Sequence, residues 1–216
     1  MFSSNVYCSN LESGNSESLE LSRARNETTL FDFTRLHSVD DWMEQSDTVR
    51  EVGKSKAVLV LQKTKVFQRA VFFFLLNPQP NGAGFAGVRI STSLDLHHYE
   101  NIALKVRRQG NVPGYKIILR HKGLNDEPHP TYEQFFMVAL NEFQVVNLPL
   151  ADFKPFYRGR PLNESEVGSL DTRNITSFGV QVYGGVYLPV KQSGPSTLEV
   201  DWIKATNTNQ QFVTLI

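Results

Sequence analysis

Gly82-Ala83-Gly84-Phe85-Ala86-Gly87 has the G-x-G-x-x-G spacing of dinucleotide-binding turns. That spacing holds a nucleotide where a strand ends in a tight turn and a helix N-terminus receives the pyrophosphate. Here Pro78 and Pro80 precede the glycines, and the β-branched run Val88-Arg89-Ile90-Ser91-Thr92 follows. The segment therefore reads as a glycine-rich turn entering a strand, where glycine permits close backbone approach. His97-His98 with Asp95 and Glu100, and His121 and His129 with Asp126 and Glu127, contain metal-ligand types. Adjacent strand residues point to opposite faces, so the histidine pair is poorly placed to chelate together, and no metal or other cofactor is expected. There is no G-x-S-x-G nucleophile elbow, and the single cysteine, Cys8, lies in a polar leader. A glycosidase needs two carboxylates flanking a groove; Glu133, Glu199 and Asp201 are the candidates, and Glu199 and Asp201 share a strand face by their spacing. Such acids also form ordinary solvated sheet surface.

Phe153-Lys154-Pro155-Phe156-Tyr157-Arg158-Gly159-Arg160-Pro161 concentrates aromatic and cationic side chains between prolines. Arg and aromatic residues supply binding hot spots because they bury much area and hydrogen-bond in the same place. The alternative is a loop in which Phe153 and Phe156 plug one end of the fold and Arg158 bridges carbonyls.

The elements that must position these groups are strands. Leu30–Phe33 reads as the first. Ser38-Val39-Asp40-Asp41-Trp42 carries an N-cap residue ahead of one or two helical turns. Ala57–Gln62 and Ala70–Leu76 are too apolar to face water on either side, and Gly84–Ile90 follows the hairpin-like turn Pro78–Gly82. Ile102, Leu104 and Val106 alternate with Ala103, Lys105 and Arg107; Tyr115, Ile117 and Leu119 alternate with Lys116, Ile118 and Arg120. Tyr132–Leu140 and Phe143–Leu148 are expected to pair around a two-residue turn at Asn141-Glu142. Phe178, Val180 and Val182 alternate with Gly179, Gln181 and Tyr183, and Leu198, Val200 and Trp202 with Glu199 and Asp201. Period two throughout predicts an all-β sandwich or barrel, with a jelly roll as one form.

The 216 residues suffice for one large sandwich, expected over 29–207, after a disordered leader at 1–28 and before a tail or edge segment at 208–216. Lys plus Arg and Asp plus Glu number 22 each, so no net field favours nucleic acid or anionic lipid. The longest apolar run, Ala70–Leu76, falls far short of the roughly 20 residues a membrane helix needs, so no transmembrane segment is expected. Glu12, Glu17 and Glu20 against Arg23 and Arg25 make the leader a poor import signal.

Several segments, in order, resemble the complex I intermediate-associated protein family. These are Leu30-Phe31-Asp32-Phe33 with Asp41-Trp42 and Ser46-Asp47, then Gly84–Arg89, Tyr99–Arg107 leading to Gly110 and Tyr115, Asn147–Phe153 with Arg158-Gly159-Arg160, and Gly194–Ile203. Two turns differ: 48–55 holds one glycine, and Gln109-Gly110 is followed by an insertion, Asn111-Val112-Pro113. The resemblance covers Leu30 to about Thr206. It implies a galactose-binding-like jelly-roll β-sandwich and a non-enzymatic, chaperone-like assembly factor. Its partners would be protein subunits or assembly factors of mitochondrial respiratory complex I or a related complex. It further implies a mitochondrial location, against a cytoplasmic alternative, and singles out Asp47, Arg89, Tyr115, Arg158 and Gly159 as candidate binding residues. Each also has a structural reading: Asp47 capping a turn, Arg89 and Arg158 paired with carbonyls or acids, Gly159 at positive φ. A second hypothesis is a carbohydrate-binding module using Tyr115, Arg120, Gln181 and Tyr183; a third is the glycosidase.

Overall fold

The computed structural model describes residues 26–207. Nearly all of the expected leader and all of the 208–216 segment lie outside the described residues. Thirteen strands follow one another: β1 (Glu27–Asp32), β2 (Met43–Glu44), β3 (Lys56–Lys63), β4 (Gln68–Leu76), β5 (Phe85–Leu94), β6 (Asn101–Gly110), β7 (Gly114–His121), β8 (Thr131–Met137), β9 (Gln144–Pro149), β10 (Lys154–Tyr157), β11 (Arg160–Pro161), β12 (Ile175–Tyr183) and β13 (Gly194–Thr206). A one-turn helix, α1 (Glu164–Val167), is capped by the Asn163 side chain, which accepts from the Ser165 N–H.

The strands form two antiparallel sheets. A six-stranded sheet runs β3-β4-β13-β6-β9, with β1 also on β13, and a seven-stranded sheet runs β11-β10-β8-β7-β12-β5-β2. β13 is long enough to pair with β4 through Gly194–Val200 and with β1 through Trp202–Thr206, while β6 lines its other edge. The all-β sandwich expected from the period-two pattern is the fold found.

The core lies between the sheets and is aromatic. Phe33, Phe72, Tyr115, Tyr132, Phe153 and Phe178 are all nearly inaccessible to solvent. Phe31, Trp42 and Phe178 meet edge-on or tilted, as ring quadrupoles favour. Alternation explains which side chains enter: Leu198 and Val200 face inward and Glu199 outward.

Four local expectations need correction. Ser38–Trp42 forms no helix; the Trp42 N–H donates to the Val39 carbonyl at 2.9 Å in a single turn that delivers the indole to the core. The 132–140 and 143–148 segments are not a hairpin, because β8 and β9 belong to different sheets. Likewise β4 and β5 lie in different sheets, so the Pro78–Gly82 turn carries the chain from one layer to the other. Lastly, β3 and β4 are not buried on both faces: Val58, Phe73 and Leu75 are each about half exposed. A run of apolar residues signals double-sided burial only when something covers the second face.

Candidate functional site

The outer face of the seven-stranded sheet brings together most of the polar and aromatic candidates. Strand register sets out one transverse row: Phe135 on β8 opposite Lys116 on β7, then Gln181 on β12, then Gly87 on β5. Two residues further along stands a second row of Lys154, Glu133, Ile118, Gly179 and Arg89. All eight residues of β7 are buried, so both faces of this central strand are covered.

The cover on the outer side has identifiable parts. Lys116 Nζ donates to Glu133 Oε2 at 2.6 Å, with side chains 8% and 5% exposed. Thr131 Oγ1 donates to the other oxygen, Glu133 Oε1, at 2.8 Å. Phe135 meets Phe156 and Tyr183 nearly edge-on, with centroids at 5.6 and 5.0 Å, and Lys116 Nζ lies 5.6 Å from the Phe135 ring centre. Burial pushes the Tyr183 phenol pKa up, keeping it neutral. Gln181 is only 6% exposed, and its amide side chain hydrogen-bonds to no described group.

A loop, 122–130, closes one end. Arg120 donates to the carbonyls of Leu124, Asp126 and His129 at 3.0–3.3 Å. Arg89 donates to the Asn125 carbonyl at 2.8 Å and to Asp126 Oδ1 at 2.9 Å. Arg158 reaches Glu127 Oε1 at 3.1 Å, and this guanidinium holds the Glu127 carboxyl below its usual range. Arg160 donates to the Tyr187 hydroxyl at 2.9 Å.

Of the residues singled out by resemblance, only Arg89, Arg158 and Gly159 border this face. Arg158 and Gly159 are the turn between β10 and β11, both at positive φ (49° and 79°), the left-handed pair that a two-residue hairpin requires. The 153–161 segment is thus a short hairpin, with Phe153 in the core, Phe156 on the outer face, and Arg158 bound to an acid instead of bridging carbonyls. Tyr115 is fully buried between the sheets, where desolvation raises its phenol pKa; it presents no binding surface. Asp47 is also buried and acts as a clasp. It accepts the Ser55 N–H and hydroxyl at 2.8 Å each and the Phe85 N–H at 3.2 Å.

The carboxylates of the glycosidase hypothesis are separated. Glu133 stands on the outer face of one sheet, while Glu199 and Asp201 stand on the outer face of the other. Glu199 is held by Arg107, by Arg69 at 2.6 Å and by Gln109 at 2.6 Å; Lys105 bridges to Asp201 at 3.1 Å. Phe143 sits against this network, 4.6 Å from both guanidinium carbons. His121 Nδ1 accepts the Asp171 N–H at 2.7 Å, and burial keeps its pKa below the usual value. His97 and His98 stand in a turn and not on a strand, so their rings lie side by side with centroids 3.4 Å apart instead of on opposite faces as expected, and His97 is bonded to Asp95.

The glycine cluster runs into β5, a strand, so no helix N-terminus faces it. Among the described residues no group of three His, Cys, Asp or Glu side chains gathers around a common point, and no helix is long and apolar enough to cross a membrane.

Architecture of this kind is shared with known β-sandwich modules. The chain superposes on the family 11 carbohydrate-binding module of Clostridium thermocellum, solved with a β-1,3-1,4-mixed-linked tetrasaccharide, with a TM-score of 0.61 and 17% identity over 85% of this chain and 96% of that one. A family 30 module from a C. thermocellum cellulase gives 0.53 and 12% identity over 85% and 98%. At these identities the likeness defines the fold. Sequence narrows the class further: residues 31–200 match the model of the complex I intermediate-associated protein 30 family, and the chain belongs to that family. An uncharacterized protein of Schizosaccharomyces pombe is 28% identical over 191 residues, covering 81% of this chain and 84% of its own.

Proposed function

We propose that the chain is a non-enzymatic, protein-binding assembly factor for mitochondrial respiratory complex I or a related complex. The observation that carries this reading is the family match, which spans residues 31–200 and so nearly the whole described fold. The outer face of the six-stranded sheet supplies a suitable surface. Val58, Phe73, Leu75, Pro195 and Thr197 line an open, apolar groove of about 670 Å³. Exposed apolar side chains gathered in one place favour a protein partner, because docking removes them from water. The occupant is a complex I subunit or assembly intermediate presenting apolar side chains to this groove.

Cross-linking and affinity purification of the tagged full chain from mitochondria tests the reading. Complex I subunits or assembly intermediates should co-purify with the parent, and Phe73→Ser/Leu75→Ser should deplete them. Recovery of no respiratory subunit or assembly factor would overturn it. Imaging of the same tagged chain should show mitochondria; a purely cytosolic signal refutes the location.

A further inference from the structure

The opposite face carries a surface that the assembly reading does not use. At its centre lies the Lys116–Glu133 ion pair, and beside it the Gln181 amide, 6% exposed and bonded to no described group. The Gln181 amide atoms are not sealed from solvent, so its donor and its acceptor are both open to a ligand. Lys116 spends one of its three N–H donors on Glu133 and has two more to offer. Gly87 and Gly179 keep the sheet surface low beside Gln181, whose stem lies against Gly87. A Cβ at Gly87 would stand 2.9 Å from the Val180 carbonyl, and one at Gly179 3.2 Å from the Val88 carbonyl. Phe135, which is 40% exposed, and Tyr183 meet edge-to-face on the same outer face, with Lys116 between Phe135 and Gln181 in the row.

We infer that this face binds a neutral oligosaccharide. Charge matching favours a neutral ligand, because most cations here are paired with acids: Lys116 with Glu133, Arg89 with Asp126, Arg158 with Glu127 and Lys154 with Glu164, while Arg120 donates to three loop carbonyls and Arg160 to the Tyr187 hydroxyl. A wholly apolar partner would seal Gln181 and the ion pair from water without giving them hydrogen bonds. A peptide strand adds to a sheet edge, whereas these groups stand on strands in the middle of a sheet. A pyranose chain meets both demands. Its C–H faces pack on the rings, and its hydroxyls both donate and accept, as the Gln181 amide and the Lys116–Glu133 pair require.

The experiment uses the labelled full chain on a printed array of neutral gluco-, galacto-, manno- and xylo-oligosaccharides, with sialylated and sulfated glycans alongside. Calorimetry with the best neutral hit follows. Binding to at least one neutral series is expected. Gln181→Ala and Phe135→Ala should each weaken it at least about tenfold, a change of roughly 1.4 kcal/mol in binding. Gln181→Ala removes no internal hydrogen bond, so its melting temperature should stay within about 2 °C of the parent's. Phe73→Ser, on the other outer face, should bind the sugar as the parent does. No neutral ligand, binding confined to charged glycans, or affinity undiminished in both variants would each overturn the inference. So would hydrogen–deuterium protection of Gln181 and Phe135 by a respiratory-complex protein in place of a sugar. Loss of complex I co-purification bears only on the assembly reading, because the two tests probe opposite faces.

Discussion

Replacing Asp47 separates a residue that holds the fold from one that meets a partner. Its carboxylate is buried and accepts from Ser55 N, Ser55 Oγ and Phe85 N. Those bonds join the single-turn segment Asp47–Val49 to the residue preceding β3 and to the first residue of β5, which belong to different sheets. Ser55 Oγ in turn accepts the Asn77 N–H at 3.0 Å, so the clasp extends to the end of β4. Asp47→Ala strands two backbone donors and a hydroxyl in a site that water reaches poorly. At about 1–3 kcal/mol per stranded donor, less some relaxation, the expected loss is about 3–5 kcal/mol. For a domain of this size that lowers the melting temperature by roughly 6–20 °C. Asp47→Asn keeps one carbonyl oxygen but turns an NH2 toward the remaining donors, so about half the loss should persist. Urea unfolding followed by the fluorescence of Trp42 and Trp202 measures both. If Asp47→Ala costs less than about 1 kcal/mol, the clasp does not stabilise the fold as these bonds imply.

The Lys116–Glu133 pair has both members nearly inaccessible, so Lys116→Met alone should cost about 3–5 kcal/mol by leaving a buried carboxylate. Adding Glu133→Leu should recover most of it, and a double variant as unstable as the single one would refute the pairing argument; equilibrium denaturation reads both. For Glu199, burial pushes the carboxyl pKa up, but bonds from Arg107 and Arg69 outweigh it and hold it below the ordinary 4.5. A carboxyl depressed in the fold stabilises above its unfolded pKa and loses that stabilisation as pH falls through the folded one. The urea midpoint of the parent should therefore drop below about pH 4.5 more steeply than that of Glu199→Gln, and parallel profiles would contradict the assignment.

Much of the architecture is legible in the residues. The alternation in β6 and β12 gives both the strands and the inward set, because a half-solvated antiparallel sheet imposes period two. In β13 it holds for Leu198 and Val200, but a register shift after Val200 sends Ile203 and Ala205 into the core in place of the expected Trp202. The glycine cluster reads correctly as a turn into a strand because the β-branched residues after it disfavour a helix. Partnership across strands is less legible. Lys116 and Arg120 look like the wet side of an alternating strand, yet both are buried, Lys116 by Glu133 and Phe135, Arg120 by the carbonyls of its own loop. Nothing in one sequence states that Phe135 stands opposite Lys116, since register comes from tertiary pairing. Tyr115 fails as a binding residue for the complementary reason. A tyrosine on an alternating strand suits either face, and only the position of its neighbours Ile117 and Leu119 in the core decides which.

The proposed protein partner and the inferred oligosaccharide make different chemical demands, and the sandwich meets both by having two chemically distinct outer faces. The six-stranded sheet presents Val58, Phe73 and Leu75 to solvent next to a network in which Glu199 and Asp201 are already engaged by Arg69, Arg107 and Lys105. What remains available there is apolar area, which suits a protein surface. The seven-stranded sheet exposes less apolar area at its centre but keeps the Gln181 amide and spare donors of Lys116 next to aromatic rings. Its unsatisfied capacity is for hydrogen bonds delivered by a ligand that also carries C–H surface. Two packed β layers set these faces about 10 Å apart at their backbones, with a dry aromatic core between them. Substitutions on one face should therefore leave the other's recognition intact, as additivity between distant sites requires.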